Sequence, residues 1–229
     1  GLWANFMLKS AFALIGFRAY LWVLQGILGI TINLDYAVMI MLALIVGINI
    51  LGAKSIKKVQ TPVVLISVTY LLCVCFWALA TTELNWDYAL SRESFGPDWH
   101  SFSSTAALVF VSYIGVTKIA AVAGEVKDPS RNLPLSMILS LIIISSIYIA
   151  VAYTLVGNIP LYALNEDIRP LYTLSLVLGN QIFAYIIAGL GVVTLISMAN
   201  SGVLAASRFP FAMAMDKLLP SALSKVHEK

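Results

Sequence analysis

The sequence predicts an all-α polytopic membrane protein, and three observations carry that reading. Of 229 residues, 60% are hydrophobic and only 11% are charged, against about 45–50% and 25% in ordinary soluble domains. Several apolar stretches approach or reach the ~20 residues that cross a hydrocarbon core. The polar segments between them alternate between basic and non-basic, as loops on opposite sides of a bilayer do.

The chain opens with "GLWANFML", already apolar, so residues 1–16 read as the truncated end of a span. No basic start followed by a small-residue cleavage site marks a signal peptide. Both ends read as cuts through a longer protein. Further spans are expected at 36–51, which is short, and at 61–80, 103–126, 134–157 and 180–207, all within a single transmembrane domain covering 1–229. "GAKSIKKVQ" (Gly52–Gln60), the turn Gly124–Pro134 and the tail from Arg208 concentrate Lys and Arg. The alternate segments, Phe17–Asp35, Thr81–His100 and Asn158–Gly179, hold only Arg18, Arg92 and Arg169. Excess Lys and Arg marks the cytoplasmic side, and Trp86, Tyr88, Trp99, Tyr162 and Tyr172 fall in the outer set as interfacial rings do. Within that set, "ELNWDYALSRE" and "IRPLYTLSLVLG" read as short helices lying on the outer surface.

At the cytoplasmic turn, proline pushes Asp128 out of the helical region and ends the preceding helix. Asn132 reads as the next N-cap, with Pro134 in the first turn, where its missing donor costs nothing. The span before this turn is the unusual one. "SYIGV" places Gly115 at mid-depth with β-branched residues on either side and Ser112 near enough to satisfy a freed backbone group. A break there, within 112–116, would leave half-helix ends facing a cavity, which a bilayer tolerates only where solute or water is met. The alternative is a glycine that simply lets two helices approach closely. Lys118, one turn further, either snorkels or pairs with Glu125.

Several classes are excluded by what the chain lacks. Cys73 and Cys75 have no nearby His or further Cys, so they read as small apolar fillers; His100 and His227 stand far apart, so no metal site is expected. No nucleophile–base arrangement or clustered carboxylates suggests an enzyme. No block of like charge suggests nucleic-acid binding, and no cofactor is expected beyond a coupling ion, sodium or proton.

"SYIGVTKIAAVAGEVKDPSRNLPLSM" closely resembles the sixth helix and following loop of the amino acid–polyamine–organocation (APC) superfamily permeases. "INILGAKSIKKVQTPVVL" resembles that family's fourth-to-fifth helix junction, and "LAASRFPFAMAMDKLLP" the end of its eighth helix. The resemblance implies a partial leucine-transporter-like inverted-repeat fold, from about the end of helix three through helix eight of twelve. It also implies that the other interrupted helix of the pair lies outside this chain. By resemblance, carbonyls around Val111, Ser112 and Ile114 would face a substrate amino group and Gly115 would permit the unwinding. Tyr113 lies in the same stretch. Val111 and Thr117 stand where some cationic exchangers carry a tryptophan and a glutamate, which tilts the expectation toward a small or neutral amino acid. Ser67 stands where many members carry a coupling lysine. Ser197, Asn200 and Ser201 are the other coupling-ion candidates, unless they serve as helix-to-helix hydrogen bonds worth about 0.6 kcal/mol each.

The function implied is secondary active transport of amino acids by alternating access, in a multi-pass protein of the plasma (inner) membrane whose partners are its substrate and the lipid bilayer. The competing class is a non-transporting membrane receptor or scaffold subunit. The sequence leaves the oligomeric state open.

Overall fold

A computed structural model of the protein describes residues 2–50, 56–83, 99–113, 115, 128–220 and 222. The described helices are α1 (Leu2–Leu28), α2 (Leu34–Ile50), α3 (Ile56–Thr81), α4 (Trp99–Ser112), α5 (Pro129–Asn158), α6 (Leu161–Leu164), α7 (Pro170–Val177) and α8 (Gln181–Met215). Among the described residues, Trp3–Leu28, Gln60–Thr81, Pro129–Asn158 and Gln181–Met215 are long and apolar enough to cross a membrane. The 17 residues of α2 span about 26 Å, slightly less than a ~30 Å hydrocarbon core. The protein is an all-α, multi-pass membrane protein, and its exposed surface agrees. Phe76, Phe110, Ile142 and Ile149 each stand more than half exposed, an arrangement that lipid rewards and water does not.

Helix ends follow local chemistry closely. Gly29 adopts φ 64° and the Ile30 amide returns to the Gln25 carbonyl, the left-handed stop that glycine makes without strain. The helix therefore runs past residue 16, where the first span was expected to end. Nothing between Phe17 and Leu28 breaks the helix, and Arg18 turns outward to bind Asp35 at 2.9 Å. A charge that can leave the helix surface does not end the helix. Asn33 caps α2, its Oδ1 accepting from the amides of Asp35 and Tyr36 at 3.1 and 3.3 Å.

The start of α5 also differs from expectation. The helix begins at Pro129, with Asp128 in the left-handed region at φ 46°. The Asp128 carbonyl accepts from Arg131 and Asn132. Asn132 therefore lies inside the helix, and Pro134 falls beyond the first turn. Pro129 takes the first position, where proline is best tolerated. At the other end of the chain, α8 runs through Arg208 and Pro210 to Met215, past the expected limit at residue 207. It stops where Lys217 turns left-handed at φ 60°, with the Leu218 amide returning to the Met213 carbonyl.

The described residues form two compact units, residues 1–69 with 181–229 and residues 70–180. The first is organised on a long seam between α1 and α8. Gly16 faces the Leu195 side chain and Gly191 faces the Tyr20 ring, where a Cβ would come within 2.9 Å of the ring. Gly202 lies against Ser10 and the Phe6 carbonyl. Such small residues let helix backbones approach closely in lipid, where apolar surface alone gives no preference for protein over tail. The seam is also hydrogen-bonded: the buried Ser10 hydroxyl lies 3.0 Å from the Phe6 carbonyl and 3.3 Å from the Ala199 carbonyl. Phe6 stacks on Phe209 at 5.4 Å. Ala13, Leu14, Ile45 and Ala199 form the adjoining core, which brings in α2.

In the second unit, the Thr82 hydroxyl lies 2.7 Å from Asn158 Oδ1, joining the ends of α3 and α5. Asp167 accepts from the Arg169 amide at 2.7 Å and from the Thr173 hydroxyl, fixing the entry to α7. α7 occupies the stretch read as a short helix from "IRPLYTLSLVLG"; "ELNWDYALSRE" lies, apart from Glu83, outside the described residues.

Candidate functional site

Two groups of residues were singled out from the sequence, one in each unit. In residues 70–180, α4 ends at Ser112, and Tyr113 and Gly115 take the tighter 3₁₀ geometry. The last carbonyls of a helix have no intrahelical amide to accept. The Ser112 hydroxyl donates to one of them, that of Val109, at 2.6 Å. Tyr113 anchors the turn to α5: its hydroxyl lies 3.0 Å from the Ser145 hydroxyl, and its ring meets Tyr148 edge-on at 5.4 Å. Ile114, Thr117 and Lys118 lie outside the described residues, as does the side chain of Val111. What is described is a helix terminus whose carbonyl end is fixed by a serine and a tyrosine.

The second group does not converge on one point. Ser197 and Ser201, one turn apart on α8, line a cavity of about 470 Å³ with Thr194 of the same helix. Asn200 is turned elsewhere. It is 7% exposed, and its Oδ1 accepts from Asn49 Nδ2 of α2 at 2.7 Å. Asn49 Nδ2 also reaches the Ile45 carbonyl at 2.7 Å, so the amide pair serves as a bond between α2 and α8. Ser67 does not line this cavity either. Its Oγ is buried and has no hydrogen-bond partner among the described residues, a state that costs about 1–3 kcal/mol for a buried hydroxyl.

Sequence reading missed the other polar residues of the cavity: Lys9 of α1, and Gln60 and Thr61 of α3. Gln60 Nε2 donates to the Ser197 carbonyl at 3.3 Å, tying α3 to α8 at the cavity edge. The signal was present in the spacing. Thr194, Ser197 and Ser201 recur at intervals of three and four, the stripe of one helix face, and Lys9 is a lone charge within an apolar run. The cysteine pair is divided by the same geometry: Cys75 is buried and Cys73 exposed, since residues two apart on a helix point to different faces.

Residues 2–229 match the family described as amino acid permease. The chain is 30% identical over 205 residues to the mitochondrial cationic amino acid transporter 3 of Arabidopsis thaliana, covering 88% of this chain and 33% of that protein. It is 32% identical over 183 residues to the branched-chain amino acid permease of Bacillus subtilis, covering 78% and 38% respectively. To the methylthioribose transporter of the same bacterium it is 30% identical over 200 residues, covering 87% and 42%. The chain spans about a third of the length of the plant relatives it matches.

Proposed function

Because the chain belongs to the amino acid permease family, we propose that the full-length protein is a secondary transporter that moves amino acids across its membrane by alternating access. The single observation that carries this is the family match over residues 2–229. The termination of α4 at Ser112 supports it. Helix-end carbonyls carry partial negative charge, and the complement of that charge is a solute ammonium.

The proposed substrate is a neutral amino acid, with backbone carbonyls near Val111 and Ser112 taking its amino group. No carboxylate occurs from Trp99 to Gly115, so a second positive charge on the solute would have no counter-charge from this stretch. The proposed location is the plasma membrane, with the basic segments inward. Cysteines at Ser130 and Asn165, both exposed, would then be labelled from opposite sides by an impermeant reagent. Labelling of both from one side defeats the orientation.

The function itself is tested by reconstituting the full-length protein in liposomes and measuring uptake of labelled leucine, lysine and glutamate. Saturable leucine uptake and counterflow, with little lysine or glutamate flux, is the expected result. Lysine uptake equal to leucine uptake removes the neutral-substrate assignment, and absence of flux for all three removes the permease reading for these solutes.

A further inference from the structure

The hydroxyls of α5 are used in two ways. Ser146 and Thr154 donate to carbonyls one turn back on their own helix, those of Ile142 and Ala150, at 2.8 and 2.7 Å. Ser136 donates to the Leu133 carbonyl at 2.9 Å. That is the ordinary fate of a serine or threonine inside a helix. Ser145 departs from it. Its hydroxyl lies 3.0 Å from that of Tyr113, 32 residues earlier in the chain, and either group can donate. Ser145 is the seventeenth of the 30 residues of α5. The bond is therefore made about halfway along a membrane-spanning helix, where hydrocarbon offers no replacement for a lost partner.

The other end of the bond falls at the terminus of α4. That helix stops at Ser112, and Tyr113 is the first residue beyond it, in 3₁₀ geometry. A helix end frays because its last carbonyls lack amide partners. Tyr113 counters this with two contacts to α5. One is the hydroxyl pair; the other is an edge-on ring contact with Tyr148 at 5.4 Å and 71°, an arrangement that ring quadrupoles favour. Ser145 and Tyr148 are three apart and share a helix face, so one tyrosine is gripped at its tip and along its ring. The support is itself tied down, since Asn158 at the end of α5 meets the Thr82 hydroxyl at 2.7 Å. The Tyr113 hydroxyl is directed to α5, and what it controls is the backbone beside it.

We propose that Tyr113 and Ser145 form a latch that positions the carbonyl end of α4, and that the closed latch sets the affinity for the solute's amino group. The inference rests on the reading above, in which carbonyls near Val111 and Ser112 take that group. A carbonyl holds a donor only at the right distance and angle. A protein whose competent arrangement is a fraction of the population binds more weakly by that fraction. Opening the latch lowers the fraction and removes nothing that touches the solute, so the loaded protein turns over as before. Tyr113 and Ser145 are thus positioning residues.

The experiment compares the full-length wild type with Tyr113→Phe, Ser145→Ala, the double variant, Ser145→Thr and Ser146→Ala. Initial rates of leucine uptake are measured in liposomes, and hydrogen–deuterium exchange of residues 109–113 in detergent. Tyr113→Phe keeps the ring and loses only the hydroxyl. A hydrogen bond between membrane helices changes an equilibrium by about three- to twentyfold. Tyr113→Phe and Ser145→Ala should each raise KM within that range and leave kcat little changed. The double variant should be no worse than either single one, because both remove the same bond. Ser145→Thr, which keeps a hydroxyl, and Ser146→Ala, whose hydroxyl bonds within α5, should retain the wild-type KM. Exchange at 109–113 should quicken in Tyr113→Phe and Ser145→Ala and in neither control.

An unchanged KM in both single variants overturns the proposal. So does a fall in kcat at constant KM, which is what a general loss of folded protein gives. A raised KM in Tyr113→Phe alone overturns it too, since that marks a tyrosine that meets the solute itself. If no protein takes up leucine, the permease reading has failed for this solute and the affinity claim with it. Faster exchange at 109–113 in the two variants then still supports the latch, and unchanged exchange overturns it. If Tyr113→Phe does not fold, Ser145→Ala against Ser145→Thr decides the matter by the same two measurements.

Discussion

α8 and α5 are both long apolar helices, of 35 and 30 residues, yet they meet their surroundings in opposite ways. Along α8, Ala184, Ala188, Ala199, Asn200 and Ala206 are buried, and Gly191 and Gly202 touch α1 directly. Along α5, only Thr154 and Gly157 are buried, while Ile138, Ile142 and Ile149 stand open. Hydropathy does not separate the two. Apolarity places a helix in the bilayer, but the pattern of small residues decides whether another helix can come close enough to cover it.

The contrast predicts unequal responses to substitution. Gly202→Val should be the most damaging, because its Cβ would meet Ser10 Oγ and lie 3.2 Å from the Phe6 carbonyl oxygen. A loss of about 1–3 kcal/mol is expected from such overpacking, read as a lowered melting temperature in detergent. Ile142→Ala, at a position 58% exposed, should move stability by no more than about 0.5 kcal/mol. Equal losses at the two positions would break the distinction between seam and lipid face.

A smaller effect tests whether polar residues hold the seam as firmly as close packing does. A double-mutant cycle on Asn49→Ala and Asn200→Ala should return a coupling of about 0.6 kcal/mol and not more than about 1.7. A coupling near zero would mean that the 2.7 Å contact adds nothing to assembly. The smallest effect is expected at Ser67, whose orphaned Oγ gives Ser67→Ala nothing to lose. That variant should keep wild-type uptake and be neutral or slightly stabilised, since it removes an unsatisfied buried group. Loss of ion-dependent uptake in a stable Ser67→Ala protein would support the coupling role expected at this position from the sequence.

The membrane class and most helices were legible in the sequence because they depend on summed hydropathy, which needs no knowledge of neighbours. The helices run on past Arg18 and Arg208, beyond the limits expected for the spans. A helix continues through a charge whose side chain can turn away, and it stops where the backbone turns left-handed, as at Gly29 and Lys217. The site was legible to the extent that it lies on one helix face. Ser197 and Ser201 are one turn apart and share a cavity. Asn200 was grouped with them by the family resemblance, with a helix-to-helix hydrogen bond as the alternative; its partner is 151 residues away, and nothing local reveals which helix an asparagine will meet. Lys9 was overlooked for the same reason, since the residues that line the cavity with it come from α3 and α8.

The Ser10 hydroxyl and the Ala199 carbonyl that it reaches are 189 residues apart. At about 5–20 residues per second, a ribosome needs roughly 10 to 40 s to deliver the second after the first. During that interval α1 exists in the cell with Ser10, Ala13 and Gly16 uncovered, a strip shaped for a helix that has not been made. Biogenesis of this protein thus includes a waiting period in which its first described helix must be sheltered by lipid or by the insertion machinery, and it ends only when α8 arrives to close the seam.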